Sequence, residues 1–219
     1  MRTIQPKAGF AVLAAALAVA TVLSPATAAY TGTGTRWAFS PVSYFVNASN
    51  MDLPAAAAET AVRTGADAWA AQSSARFRFA FGGATAQDVI TNDGTNLVVF
   101  RNASSGSAIA TTYWWSTASG IIDADIVFWD AAFRFFAGTS GCSSGFYIED
   151  IATHEFGHAL GLGHSNTTSA TMYPSVSSCN TGNRSLDPDD IAGVQALYPP
   201  QSVPPSAPTG LRTIGVGSE

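Results

Sequence analysis

The 219-residue chain has little of what marks several large classes of protein. Past residue 23 it has no apolar run near the ~20 residues needed to cross a bilayer, so a stable membrane anchor is not expected there. It has no basic cluster. Lys and Arg total 10 against 15 Asp and Glu, the net charge is −5, and charged residues make up only 11% of the chain. That balance argues against nucleic acid or an anionic membrane surface as a partner. No internal repeat is present, which excludes solenoids and propellers. Cysteine occurs twice, at Cys142 and Cys179, and histidine only three times.

The N-terminus accounts for much of the apolar content. Residues 1–7 carry Arg2 and Lys7, residues 8–23 form an uncharged apolar run, and small residues follow to Ala26-Thr27-Ala28. A basic n-region, an h-region and an A-x-A signal describe a secretory leader over 1–29, cut after Ala28 or Ala29. Loss of Arg2 and Lys7 takes the net charge from −5 to −7. Export places the two cysteines in an oxidising compartment, where a Cys142–Cys179 disulfide is the expectation and two free thiols the alternative.

Residues 30–199 read as one domain. Aromatic and β-branched residues at 37–46 suggest a first strand. Asp52 could cap a helix entered through Pro54 and running to about Gln72, with Ala57, Ala61, Val62 and Trp69 near helical spacing. The alternation Arg76-Phe77-Arg78-Phe79 suggests a half-buried strand at 76–81, and 97–101, 109–115 and 121–129 are further strands. A Gly/Ser-rich loop at 138–145 precedes a second helix over 147–160. Asp187 as N-cap, Pro188 at the first position, and Asp189 and Asp190 in the first turn predict a third helix ending near Tyr198. The pattern is that of a mixed α/β (α+β) domain. Residues 200–219 begin as a proline-rich linker. Within them 206–211 resembles the opening strand of a fibronectin type III domain, with a disordered tail as the alternative.

All three histidines fall in one motif: His154-Glu155-Phe156-Gly157-His158, then Gly161, then His164. Positions i and i+4 share a helix face, so His154 and His158 can reach one ion. A third ligand six residues further on needs the helix to stop, and glycine at Gly161 permits the left-handed turn that does so. Five fixed positions at a background of about one in twenty make coincidence on the order of one in ten thousand. Three neutral imidazoles with an open position suit one tetrahedral Zn²⁺. In such a site the metal lowers the pKa of its bound water to about 7, and Glu155, beside the first ligand, would take the proton as general base.

This motif resembles that of the metzincins, and among them the matrixins. Ser165 follows the last histidine as in matrixins. Ala170-Thr171-Met172-Tyr173-Pro174 resembles the Met-turn that floors the family's metal site, with Met172 as that methionine, although an ordinary core methionine would look much the same. Pro174 stands where astacins and serralysins carry a tyrosine. Residues 186–198 are similar to the matrixin C-terminal helix. The resemblance implies a twisted, mixed, roughly five-stranded sheet with a long N-terminal helix, an active-site helix and a C-terminal helix. It implies a secreted zinc endopeptidase acting on proteins or peptides, in a minimal form without a pro-domain. No P-R-C-G-x-P-D latency motif occurs, and the extra histidines of a structural zinc site are missing, which leaves one catalytic zinc. The resemblance also places Tyr173 and Pro174 in the pocket for the residue after the cut bond, where an apolar wall would favour hydrophobic side chains.

Other readings stay open at this point. A zinc hydrolase of non-peptide amides or esters would carry the same motif, and an idle binding module would keep the fold without needing Glu155. Asp123, Asp125 and Asp130 could ligate calcium, but a solvated strand edge is the expectation. Tyr113-Trp114-Trp115 could touch substrate, but burial in the core is the expectation. The domain is expected to act as a monomer.

Overall fold

The five stretches read as strands contribute to a five-stranded sheet in the computed structural model, which describes residues 29–200. The leader and the tail, including the fibronectin-like stretch, otherwise lie outside the described residues. The strands are β1 (Val42–Asn47), β2 (Phe79–Ala84), β3 (Leu97–Arg101), β4 (Ala110–Thr117) and β5 (Gly120–Trp129). Their order is β2-β1-β3-β5-β4. The first four run parallel, with the long helix α1 (Ala55–Ser73) crossing from β1 to β2, as a parallel connection requires. β4 alone is antiparallel. A two-residue turn joins it to β5, which leaves β4 at the sheet edge. The mixed α/β (α+β) class and the five strands are as expected.

Helix α2 (Ile148–Leu160) lies between α1 and the edge strand and carries His154, Glu155 and His158. Close approach to α1 depends on Gly65, where a Cβ would meet Ala152 Cβ at 2.7 Å and Thr153 N at 2.8 Å. Trp69 of α1 is buried against the same turn and its indole N–H donates to Thr153 O at 2.8 Å. The C-terminal carbonyls of α2 are also met by side chains, since no further helical turn can satisfy them. Trp37 Nε1 donates to Ala159 O at 2.8 Å and the Tyr198 hydroxyl to Leu160 O at 2.7 Å. Phe156 points the other way, into a cluster with Tyr44 and Phe79 at centroid distances of 5.0 and 4.8 Å. These contacts aim the opposite face of α2 at the cleft.

Helix α3 (Pro188–Leu197) starts as the sequence predicts, with Asp187 as N-cap, a capping box to Asp190 and Pro188 in the first turn. Four details differ from expectation. The first strand starts at Val42, because Trp37 is engaged with Tyr198 and the end of α2. Asp52 does not cap α1; Pro54 holds the N-cap position, and the Asp52 carboxylate accepts from Phe135 N at 2.7 Å. The strand expected at 76–81 is shifted to Phe79–Ala84 because Arg76 N bonds Tyr198 O instead of a sheet neighbour. Two short parallel strands, β6 (Phe135–Phe136) and β7 (Phe146–Tyr147), were not anticipated. They flank the Gly/Ser loop and deliver the chain to α2.

The solvated-edge reading of the aspartates is overturned. Asp123, Asp125 and Asp130 are all buried. Asp123 accepts from Asp93 N and Gly94 N, both at 2.8 Å, and Asp125 from Leu97 N at 2.8 Å and Thr91 N at 3.1 Å. They serve as backbone acceptors for the 88–97 loop, and Asp130 does the same for Met51 at 2.6 Å. Among the described residues, the one group of three potential metal-binding side chains that converges is the three histidines.

Candidate active site

The helical period places His154 and His158 one above the other on the cleft face of α2, with ring centroids 4.8 Å apart. Gly161 then takes φ +106°, its N–H bonding back to the carbonyls of Gly157 and His158. A Cβ at Gly161 would meet Thr35 O at 2.2 Å, so glycine is needed for space as well as for backbone conformation. The reversed chain brings His164 to 5.4 Å from His154 and 4.8 Å from His158, centroid to centroid. One ring nitrogen from each histidine lies within 4.8 Å of the others.

The outer ring nitrogens decide the protonation of the inner ones. His154 Nδ1 is 2.7 Å from Thr171 O and His158 Nδ1 is 2.8 Å from Leu162 O. A carbonyl only accepts, so each Nδ1 carries the proton and each Nε2 presents a lone pair. The two Nε2 atoms face one another at 3.1 Å. Two bare lone pairs at that distance repel, and a cation between them removes the conflict. Burial pushes both imidazoles down to about 4, helped by their histidine neighbours, and it also lowers His164. All three are therefore neutral at pH 7, as coordination of a metal would need.

Below the histidines lies Met172, fully buried in contact range of Gly157. The segment carrying it is held by Asp190 of α3, whose carboxylate accepts from Thr171 N at 2.7 Å and Met172 N at 3.0 Å. Through Thr171 O that segment fixes the ring of His154, so a capping residue of α3 orients a potential ligand at one remove. Glu155 is buried beside the histidines. Its Oε2 accepts from the Thr112 hydroxyl on β4 at 2.6 Å. Burial pushes the carboxyl up from its ordinary range, while His158 and the Thr112 bond pull it down.

A cleft of about 710 Å³ opens over this group. One wall is the edge strand with Ala110, Thr112 and Trp114, and the other is the 173–176 segment, including Tyr173 and Pro174. Phe146, Ile151 and Val176 make the interior apolar. The aromatic run on β4 is not core as expected: Tyr113 and Trp114 are each 40% exposed, and Trp114 borders the cleft. The far loop is anchored twice. A disulfide joins Cys142 to Cys179 with Cα atoms 5.6 Å apart. Asp150 of α2 accepts from Asn183 N at 3.0 Å and from Arg184 Nε at 2.6 Å. The structure thus gathers His154, His158, His164, Glu155, Tyr173 and Pro174 around one cleft, with Met172 buried against Gly157. Thr112, Asp150, Arg184 and the bracing role of Asp190 were not foreseen, since no local pattern marks their partners.

Three neutral imidazoles, a buried carboxylate beside them and an apolar cleft beyond an unpaired strand edge define the class of metal-dependent hydrolases. The family model described as Matrixin, of the M10 peptidases, matches residues 36–199, and the chain belongs to this family of zinc metalloendopeptidases. Over 80 residues it is 45% identical to human matrix metalloproteinase-20, covering 36% of this chain and 16% of that protein. It is 50% identical to rat matrilysin over 60 residues, covering 27% and 22%. It is 55% identical to metalloendoproteinase 1-MMP of Arabidopsis thaliana over 53 residues, covering 24% and 14%. The chain thus spans under a quarter of the length of each of these relatives. Matrixins use a catalytic zinc. No helix among the described residues is long and apolar enough to cross a membrane.

Proposed function

We propose that this protein is a secreted zinc endopeptidase in which His154, His158 and His164 hold the metal and Glu155 is the general base. The opposed Nε2 lone pairs of His154 and His158 carry the metal assignment, because their outer nitrogens are committed to carbonyls. Zinc bound there would supply a Lewis acid that acidifies water and polarises a carbonyl. Glu155 accepts the proton of the attacking water and returns it to the leaving amine. The free edge of β4 offers its backbone groups to an extended peptide, which adds as a further strand along the cleft. Tyr173 and Pro174, with the apolar interior of the cleft, favour a hydrophobic residue after the cut bond. Residues 1–29 are the export leader, and the Cys142–Cys179 disulfide supports an oxidising destination. The enzyme acts as a monomer on protein or peptide substrates.

Elemental analysis should find about one zinc per chain. Casein digestion should stop with 1,10-phenanthroline and fall at least about 10²-fold in Glu155→Ala, which keeps its metal. Absence of zinc, or normal digestion by Glu155→Ala, would refute the assignment. A peptide-library profile dominated by cleavage before Asp, Glu, Lys or Arg would refute the pocket reading alone.

A further inference from the structure

Glu155 can act on only one water position at a time, and its orientation depends on a residue 43 positions away in sequence. Thr112 lies on β4, paired with Ile126 of β5, and is buried where the strand faces α2. Its hydroxyl oxygen is 2.6 Å from Glu155 Oε2 and 3.0 Å from Glu155 O. The hydroxyl has a single hydrogen, and the shorter of the two contacts, to Glu155 Oε2, takes it. Among the described residues no donor bonds Oε1. The carboxylate therefore has one oxygen tied to the sheet and one left for the cleft that His154, His158 and His164 border.

We propose that Thr112 is a positioning residue for the hydrolytic reaction: its hydroxyl holds Glu155 Oε2 and so aims Oε1 at the attacking water. This rests on the zinc-endopeptidase reading above and adds a component to it. A helix alone does not set the last torsion of a glutamate, because that sp³–sp² rotation is broad. The bond to a rigid strand supplies the missing constraint. A misplacement of about 1 Å can lower a rate by 10²-fold, so the hydroxyl should affect turnover far more than substrate binding.

The test compares wild type, Thr112→Val and Thr112→Ser on a fluorogenic peptide with an apolar residue after the scissile bond. Valine keeps the shape and removes the hydroxyl; serine keeps the hydroxyl and removes the methyl. The expected result for Thr112→Val is a kcat lower by about tenfold or more, KM within about twofold, and an unchanged zinc content. Thr112→Ser should stay within about threefold of wild type. If packing is the role of this side chain, the order reverses and serine is the poorer enzyme. Wild-type kcat in Thr112→Val, equal losses in both variants, or a loss confined to KM or zinc content would overturn the inference. If Thr112→Val does not fold, Thr112→Ala takes its place, with recovery by Thr112→Ser as the expected result and no recovery as the refutation. A wild-type protein without peptidase activity overturns the underlying reading and this inference with it. An active, Glu155-dependent wild type beside an unimpaired Thr112→Val overturns the inference alone.

Discussion

Replacing Gly157 by alanine would place one methyl group in the narrowest gap under the histidines. An ideal Cβ there lies 2.2 Å from Met172 Sδ, 2.6 Å from Trp69 Cζ2 and 3.1 Å from Met172 Cε. Ordinary contacts between heavy atoms are ~3.5–4.0 Å, so the thioether must retreat by more than about 1 Å. Neither neighbour has room, as Met172 is fully buried and Trp69 is 2% exposed. Nor can the Met172 segment drift freely, since Asp190 holds Thr171 N and Met172 N. Alanine returns about 1 kcal/mol in helix propensity, against about 1–3 kcal/mol for overpacking. The net expectation is a loss of up to about 2 kcal/mol, or a melting temperature lower by a few degrees. Any shift of Thr171 O also loosens its bond to His154 Nδ1. Disturbing the outer partner of a ligand typically weakens metal affinity by about 10–100-fold. Thermal unfolding of the metal-free protein and zinc competition with a chromophoric chelator would read the two effects separately. Gly157→Ala combined with Met172→Ala should recover part of the loss, because the second change opens the space the first one needs. A Gly157→Ala protein with wild-type zinc affinity and an equal or higher melting temperature would refute the reasoning.

Two further perturbations follow from the same structure. The Cys142–Cys179 bond spans a sequence separation of 37, for which the chain-entropy relation gives roughly 4 kcal/mol at 25 °C; mutating both to serine should lower the melting temperature by about 8–16 °C, and unchanged melting after reduction would refute this. Asp125 is raised to about 6 by burial, so its contribution is most favourable below about pH 4 and declines as pH rises through about 6. Wild type should therefore gain about 2 kcal/mol on Asp125→Asn between pH 7.5 and pH 4, measured by denaturant unfolding of both proteins; a pH-independent difference would show that Asp125 is not perturbed.

The features legible in the amino-acid sequence are those whose geometry is local. His154 and His158 share a face because the helical period is 3.6 residues, and Gly161 ends the helix because it alone fits the left-handed turn there. Asp187, Pro188 and Asp190 announce the start of α3 within four residues. Strand boundaries were less legible where a distant group competes for the backbone, as Tyr198 does for Arg76 N. The same holds for the aspartates of β5. Asp123 and Asp125 read as a solvated strand edge in the sequence, but the 88–97 loop folds over them and makes them buried acceptors.

At the cleft the division is sharper. Residue type and spacing name a three-histidine motif with its glutamate, because i and i+4 are neighbours in any α-helix. Nothing in that spacing says which carbonyls take the outer nitrogens, that Asp190 braces Thr171 and Met172, or that Thr112 reaches Glu155. Those partners come from β4, α3 and the 162–172 segment. Their distances to α2 exist only once α1, the sheet and α3 have closed around it, since a hydrogen bond needs its two atoms within ~3 Å however far apart they lie along the chain.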